Sequence, residues 1–208
     1  MLAADRPDAR FVAGRDYERL PVPVPTGSAD GRIEVSEFFI FWCAHCFAFE
    51  PELAAWSENK PDYVDLVRIP ALFNAAAVLQ AQAFYTAEAL GLIDEMRGPF
   101  YDEIHVRGNP LASRRDIQKF FTRFGVAEAR FDEVFDSFGV QASLERAEDL
   151  NRRYRVSSTP SIGVNGKYLT NASMTGTNEV MLEVVDSLVE TEARGLCGGD
   201  GTAKCPFN

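Results

Sequence analysis

The feature that most constrains this chain is a pair of cysteines, Cys43 and Cys46, that directly follows the apolar run 38–42. The segment 47–57 reads as a helix, so the pattern predicts a buried strand that leads into a helix start. Residues three positions apart lie on one face of a helix, which brings the two sulfurs within reach of each other. A helix N-terminus favours a thiolate, the reactive form of cysteine. Cys43 is therefore a candidate nucleophile, and Cys46 is its candidate partner in a disulfide.

A second strand is predicted soon after this helix. Residues 32–41 form the first strand candidate, and residues 63–69 alternate well enough to form the second. Pro51 lies within the intervening helix and is expected to kink it after its first turn, because proline removes a backbone donor. A strand, a helix and a strand joined by short links make a βαβ unit, which predicts a parallel pair of strands.

Residues 74–155 are predicted to be almost entirely helical. Two apolar stripes with helical spacing stand out in this block, one over 117–124 that ends at Gly125 and one over 131–138 that ends at Gly139. We interpret both stripes as core-facing surfaces rather than as parts of a cofactor site.

The pattern returns to strands at Ser161. Two short apolar segments, 162–164 and 168–169, flank Asn165-Gly166, which is a strong signal for a two-residue hairpin. A last amphipathic helix is indicated over 181–188. The order β-α-β, helical block, β-β-α predicts an α/β fold whose sheet domain is interrupted by an inserted helical domain.

The charge and hydropathy of the chain exclude some functions. Its 208 residues carry a formal net charge of −10, which argues against nucleic acid and anionic membrane as main partners. No apolar run approaches the roughly 18 residues of a membrane span. No signal-peptide pattern precedes Phe11. The protein is therefore expected either to be cytosolic or to be exported with its leader removed.

The other two cysteines, Cys197 and Cys205, lie in a Gly-rich C-terminal tail. This close pair suits a structural disulfide, which the chain-entropy model values at roughly 2–3 kcal/mol for such a short loop. Disulfides persist in oxidising compartments, so the tail favours export over a cytosolic location. The alternative is that the tail cysteines stay reduced and have no role.

Four motifs together carry a resemblance to a known family. They are Glu37-Phe38-Phe39, Cys43-Ala44-His45-Cys46, Phe49-Glu50-Pro51 and Val164-Asn165-Gly166-Lys167-Tyr168. In this order and spacing they resemble the periplasmic thiol-disulfide oxidoreductase family DsbA. The resemblance covers nearly the whole chain, from Phe11 to Arg194, and leaves the tail cysteines outside it.

The resemblance implies a thioredoxin fold with an inserted all-helical domain. On this basis we expect four parts: the first part of the thioredoxin-like domain (11–72), the inserted helical domain (73–155), the second part of the thioredoxin-like domain (156–195) and the C-terminal tail with its disulfide (196–208).

The family also implies a role for each matching residue. Cys43 matches the nucleophile and Cys46 the buried partner, while His45 matches the histidine that helps to stabilise the thiolate. Thr159-Pro160 matches the pair whose proline is cis and faces the active site, where it would help to bind substrate. Glu37 matches the buried acid beneath the motif, which tunes the pKa of the cysteines.

Two departures from the family pattern concern this tuning. The commonest family dipeptide between the cysteines is Pro-His, but here Ala44 replaces the proline. The change is expected to leave the helix start less rigid and to alter the redox potential. The usual basic partner of the buried acid would fall near Asp65, so no acid–base pair is expected at Glu37.

The resemblance further implies the reaction and its partners. The protein would be a periplasmic monomer that needs no cofactor or metal and oxidises reduced exported polypeptides at the Cys43-Ala44-His45-Cys46 motif. A DsbB-like membrane oxidase would restore its disulfide. His105 is expected to be a packing or surface residue.

Three alternatives stay open at this stage. The same fold supports a reductase or an isomerase, which the redox potential would separate from an oxidase. It also supports non-redox transferases, although these need at most one residue of the cysteine pair. Four cysteines can instead hold Zn²⁺, but the spacing of Cys197 and Cys205 is too long for a second metal-binding clip.

Overall fold

The computed structural model describes residues 10–196, which contain five strands and eight helices. The strands are β1 (Glu18–Arg19), β2 (Ile33–Phe39), β3 (Val64–Pro70), β4 (Ser161–Val164) and β5 (Tyr168–Asn171). The helices are α1 (Ala44–Asn59), α2 (Ala75–Ala89), α3 (Ile93–His105), α4 (Arg114–Thr122), α5 (Glu128–Phe135), α6 (Phe138–Tyr154), α7 (Ala172–Thr175) and α8 (Asn178–Leu196). No helix in this part of the chain is long and apolar enough to cross a membrane.

The described residues divide into two compact units. We call them the sheet unit, residues 10–38, 49–69 and 160–196, and the helical unit, residues 39–48 and 70–159. The cysteine motif belongs to the helical unit by this division. The domain boundaries expected from the sequence stay a prediction.

The five strands form one mixed sheet in the order β1-β5-β4-β2-β3. The Ile33 N–H donates to the Tyr63 carbonyl at 2.9 Å, and the Ala71 N–H donates to the Phe39 carbonyl at 2.7 Å. Both strands therefore advance in the same direction, which confirms the predicted parallel pair, with α1 as the connection. The β4 strand runs antiparallel to both β2 and β5.

The hairpin between β4 and β5 forms where the sequence predicts it. Asn165 and Gly166 both have positive φ, 49° and 66°, and the Lys167 N–H donates to the Val164 carbonyl at 3.0 Å. The Val24 backbone passes so close that a Cβ at Gly166 would lie 1.9 Å from the Val24 carbonyl oxygen. Gly166 is thus required both for its backbone conformation and for this close approach.

The core of the sheet unit lies between the strands and the helices α1 and α8. Phe49 and Leu53 of α1 and Val184 and Leu188 of α8 are fully buried in one apolar cluster with β2 and β4. The α1 helix begins at Ala44, earlier than the predicted 47, and contains Pro51. The kink expected at this proline stays a prediction.

Residues 74–155 contain the helices α2 to α6, which confirms the almost entirely helical block that the sequence predicts. One expected boundary is wrong: α5 ends at Phe135, α6 begins at Phe138, and Gly139 lies inside α6 rather than ending a helix. The Ser137 hydroxyl oxygen accepts a hydrogen bond from the Val140 N–H at 3.3 Å, so this serine caps a new helix. Phe138 is consequently 88% exposed and is not part of the core stripe.

We expect Gly166→Ala to destabilise the protein by about 2–4 kcal/mol, because it adds a steric clash to a left-handed backbone. Gly31→Ala is the matched control, since Gly31 has a φ of 84° but no atom within 4 Å of the added methyl group. It should cost only about 1–2 kcal/mol. Urea unfolding measures both variants, and equal losses would contradict the close approach to Val24.

Candidate active site

A tight turn at the end of β2 places the first cysteine at a helix start. The Cys43 N–H donates to the Ile40 carbonyl at 3.1 Å and closes the turn, and the Phe47 N–H donates to the Cys43 carbonyl at 3.0 Å and opens α1. Cys43 therefore occupies the N-cap position of α1. In this position its sulfur faces backbone N–H groups of the first helical turn, as the sequence predicts.

The surroundings of Cys43 stabilise its thiolate. The hydrogen bond from the Cys46 side chain lowers the pKa of Cys43 most, and the Thr159 side chain and the backbone N–H groups of Cys46 and His45 lower it further. Partial burial acts in the opposite direction, yet the pKa of Cys43 falls to about 5. At neutral pH this half-buried sulfur is a thiolate, the form that attacks and leaves in thiol–disulfide exchange.

Cys46 has the opposite environment. Its side chain is fully buried in the apolar cluster of the helical unit, which includes Phe39, Phe41 and Tyr101. Burial raises the pKa of Cys46 far above its ordinary value, and its hydrogen bond to Cys43 raises the pKa further. Both cysteines are free thiols in this structure. The pair thus holds one half-buried, easily ionised sulfur and one fully buried sulfur that keeps its proton.

Thr159 is brought to the first sulfur across a long stretch of chain. The Cys43 Sγ lies 3.4 Å from the Thr159 carbonyl oxygen, to which the protonated thiol donates. The side chain of the same threonine lowers the pKa of both cysteines. Pro160 follows directly and precedes β4, which begins at Ser161. The cis form of the Thr159–Pro160 bond stays a prediction.

His45 and Ala44 are both exposed in the first turn of α1. The backbone N–H of His45 is one of the groups that lower the pKa of Cys43. The tuning role expected for the His45 ring stays a prediction, as does the effect of Ala44 on the redox potential.

The expectation that Glu37 lacks a basic partner is wrong. The Arg68 Nε lies 3.2 Å from the Glu37 Oε2, and the Glu37 side chain is almost fully buried. Asp65, where the partner was sought, instead accepts a hydrogen bond from the Arg32 Nε at 2.8 Å. Asp65 and Arg68 are an odd number of positions apart in β3, so their side chains point to opposite faces of the sheet. The match to the family pattern therefore placed the basic partner three residues too early in the chain.

Sequence reasoning also missed a contact of His105. Its Nε2 lies 2.7 Å from the carbonyl oxygen of Phe41, two residues before Cys43. Its ring stacks on Phe47, one residue after Cys46, with centroids 4.7 Å apart and planes 7° apart. Nothing near Ile104-His105-Val106 in the sequence signals these contacts, because the partner residues are remote along the chain.

The predicted tail disulfide between Cys197 and Cys205 lies outside the described residues. The alternative zinc site would need the same two cysteines. Within residues 10–196, no group of three or more His, Cys, Asp or Glu side chains is arranged to hold a metal ion.

Comparison with known proteins places the chain in a family. The model of the DSBA-like thioredoxin domain matches residues 66–182. The thiol:disulfide interchange protein DsbA of Pseudomonas aeruginosa is 36% identical over 182 residues, which cover 88% of this chain and 86% of that protein. The protein of the same name from Azotobacter vinelandii is 36% identical and covers 86% of this chain and 83% of its own length.

Solved structures agree with the sequence relatives. The crystal structure of Pseudomonas aeruginosa DsbA superposes with a TM-score of 0.84 at 34% identity, over 89% of this chain and 96% of that one. The oxidoreductase DsbA from Xylella fastidiosa gives a TM-score of 0.82 at 29% identity, over 88% and 97% of the two chains. The fold class and the family resemblance predicted from the sequence are thereby confirmed. The chain belongs to the DsbA family: it has the family's thioredoxin fold, and it is a thiol:disulfide oxidoreductase that introduces disulfide bonds into proteins.

Proposed function

We propose that Cys43 and Cys46 carry this reaction and that its substrates are reduced polypeptides that have been exported. The observation that supports the proposal is the contrast between the two sulfurs. Cys43 is half-buried with a pKa of about 5, whereas Cys46 is fully buried with a raised pKa. A protein that accepts electrons from other thiols needs one sulfur that substrates can reach and a second sulfur that forms a disulfide with the first.

The reaction begins with the oxidised protein, in which a disulfide joins Cys43 and Cys46. A substrate thiolate attacks the Cys43 Sγ, so a mixed disulfide forms and the Cys43–Cys46 bond breaks. The electron pair of that bond goes to the Cys46 sulfur, which takes a proton because its pKa is raised. The protein is now joined to its substrate through Cys43.

A second substrate thiolate then attacks the substrate sulfur of the mixed disulfide. A new disulfide forms in the substrate, and Cys43 leaves as a thiolate. Two electrons have passed from the substrate to the cysteine pair. The low pKa of Cys43 speeds this step, because a stable thiolate is a good leaving group. It also stabilises the reduced protein, which makes the oxidised protein a stronger oxidant.

We further propose that Thr159 and Pro160 bind the substrate chain beside Cys43. The Thr159 carbonyl oxygen lies 3.4 Å from the Cys43 Sγ, so an extended peptide bound along this backbone would pass beside the sulfur. His45 would add to thiolate stabilisation, and Glu37 would tune the pKa of the cysteines.

The cellular setting belongs to the same proposal. A dithiol oxidase must be reoxidised, and a DsbB-like membrane oxidase would take up the two electrons. The protein would be a periplasmic monomer with a disulfide between Cys197 and Cys205. The tail cysteines support this setting, because a structural disulfide persists only where the compartment is oxidising.

The first test is the equilibrium of the Cys43–Cys46 pair with glutathione. We expect a strongly oxidising pair, because the Cys43 thiolate stabilises the reduced form. A sample with Cys197→Ser and Cys205→Ser separates the motif from the tail and should give the same equilibrium constant. A value close to that of thioredoxin would make the protein a reductase and would leave only the tail in support of export.

Single cysteine variants should separate the two roles. Cys43→Ser is expected to abolish oxidation of a reduced protein substrate, since it removes the attacked sulfur. Cys46→Ser should form a stable mixed disulfide through Cys43 when it is mixed with a substrate whose thiol is activated as a disulfide, because no second cysteine releases the substrate. Mass spectrometry of the unreduced complex identifies the bonded cysteine. A complex formed through Cys197 or Cys205 would contradict the assignment.

The pH dependence of stability follows from the lowered pKa of Cys43. A folded-state pKa of about 5, below the usual value of about 8.5 in an unfolded chain, stabilises the reduced protein fully above pH 8.5, and this contribution is lost as the pH falls through 5. The reduced protein should therefore gain stability relative to the oxidised protein from pH 5 to pH 8. Above that range the raised pKa of Cys46 acts with the opposite sign.

Urea unfolding of both redox forms between pH 4 and pH 8 measures this difference. Reduced Cys43→Ser serves as the control and should lose the pH-dependent gain. A difference that stays constant over the whole range would show that Cys43 has an ordinary pKa.

A further inference from the structure

The turn that presents Cys43 has a hydrogen bond of its own and a further contact from outside the turn. The turn spans residues 40–43 and is closed by the Cys43 N–H on the Ile40 carbonyl at 3.1 Å. In such a turn the central peptide group, here between Phe41 and Trp42, makes no bond within the turn itself. The carbonyl of this peptide group belongs to Phe41, which is only 2% exposed. A buried carbonyl of this kind requires a donor from elsewhere in the protein.

His105, the last residue of α3, supplies that donor. The 2.7 Å distance between its Nε2 and the Phe41 carbonyl oxygen is that of a good hydrogen bond. Because a carbonyl oxygen accepts and does not donate, the Nε2 atom carries the proton. The stacked Phe47 ring holds the imidazole in place from the other side of the motif. One side chain thus contacts the chain both before Cys43 and after Cys46.

The rest of α3 supports the same contact. The Phe41 ring stacks on Phe100 at a centroid distance of 4.1 Å and meets the edge of Tyr101 at 4.9 Å. Tyr101 lies one turn before His105 on the same face of α3. The helix therefore holds Phe41 by its ring and by its backbone, which limits rotation of the 41–42 peptide group.

We propose that His105 is a positioning residue for disulfide exchange at Cys43. Its hydrogen bond fixes the central peptide group of the turn, and this keeps the Cys43 sulfur aligned with the N–H groups of His45 and Cys46. The inference deepens the proposed function and depends on exchange at Cys43. Loss of the bond would loosen this alignment, weaken the stabilisation of the thiolate and make the protein a weaker oxidant.

Two variants separate the hydrogen bond from the ring stack. His105→Phe keeps an aromatic ring beside Phe47 but removes the donor. His105→Gln removes the ring but keeps an N–H group near the position of Nε2. We expect His105→Phe to raise the pKa of Cys43 by roughly 0.3 to 1 pH unit and to lower the equilibrium constant with glutathione roughly two- to tenfold, the effect of one hydrogen bond. His105→Gln should retain more of both values.

The pKa is measured from the pH dependence of Cys43 alkylation by iodoacetamide, followed by peptide mass spectrometry on the full chain. Phe131→Leu is the matched control. Phe131 is buried in the same apolar cluster, and its ring packs against Phe121 and Phe135. It should lower the melting temperature and leave both the pKa and the equilibrium constant unchanged.

The outcomes distinguish the two proposals. If the unmodified protein does not exchange with glutathione at Cys43, the proposed function fails before His105 is tested. If it does exchange, and His105→Phe matches it in pKa and equilibrium constant while losing only thermal stability, then His105 merely packs and the positioning role is wrong. Equal shifts in both His105 variants would show that the ring acts rather than its N–H, which also overturns the proposal.

Discussion

The hydrogen bond between the two motif sulfurs is the interaction on which the chemistry of this protein depends. The same contact lowers the pKa of Cys43 and raises that of Cys46, so it sends the negative charge of the reduced pair to one sulfur. Burial strengthens the asymmetry. Cys46 is fully buried, and because a buried charge is costly, its thiol stays protonated. The charge therefore stays on the sulfur that a substrate can reach. The phenylalanine-rich core of the helical unit contributes to redox chemistry in this way, because it encloses Cys46.

The donors around Cys43 come largely from the backbone. The N–H groups of His45 and Cys46 reach the sulfur because α1 begins at Ala44, and a backbone donor is present whichever side chain occupies those positions. These donors therefore do not depend on the side chain at Ala44, where the family usually has proline. Proline at the first helical position restricts φ but contributes no N–H. Its replacement leaves the His45 and Cys46 donors in place, so the orientation of the preceding turn becomes the more important constraint.

The sequence predicted those parts of the structure that local patterns determine. The parallel pair, the helical block and the Asn165-Gly166 hairpin all follow from periodicity or from a turn dipeptide, and all are present. The failures have physical causes of another kind. The apolar spacing predicted one helix that continues through Phe138. Instead the Ser137 side chain caps a new helix that begins at Phe138. Arg68 was missed because the family pattern was matched three residues out along β3, and only the folded sheet shows which β3 side chain meets Glu37.

In the candidate site, too, the sequence reveals residues that share a local pattern and misses contacts between remote parts of the chain. Cys43 and Cys46 could be found from the sequence because both lie in one helical turn, and Thr159 because it matches the residue before the proline in the family pattern. His105 is different, because its partner is a backbone carbonyl, and every residue has one. Only the packing of α3 against the motif, through Phe100 and Tyr101 on Phe41, selects which carbonyl it meets. A contact that uses the backbone leaves no paired signature in side-chain identities, so positioning residues of this type become visible only in the folded structure.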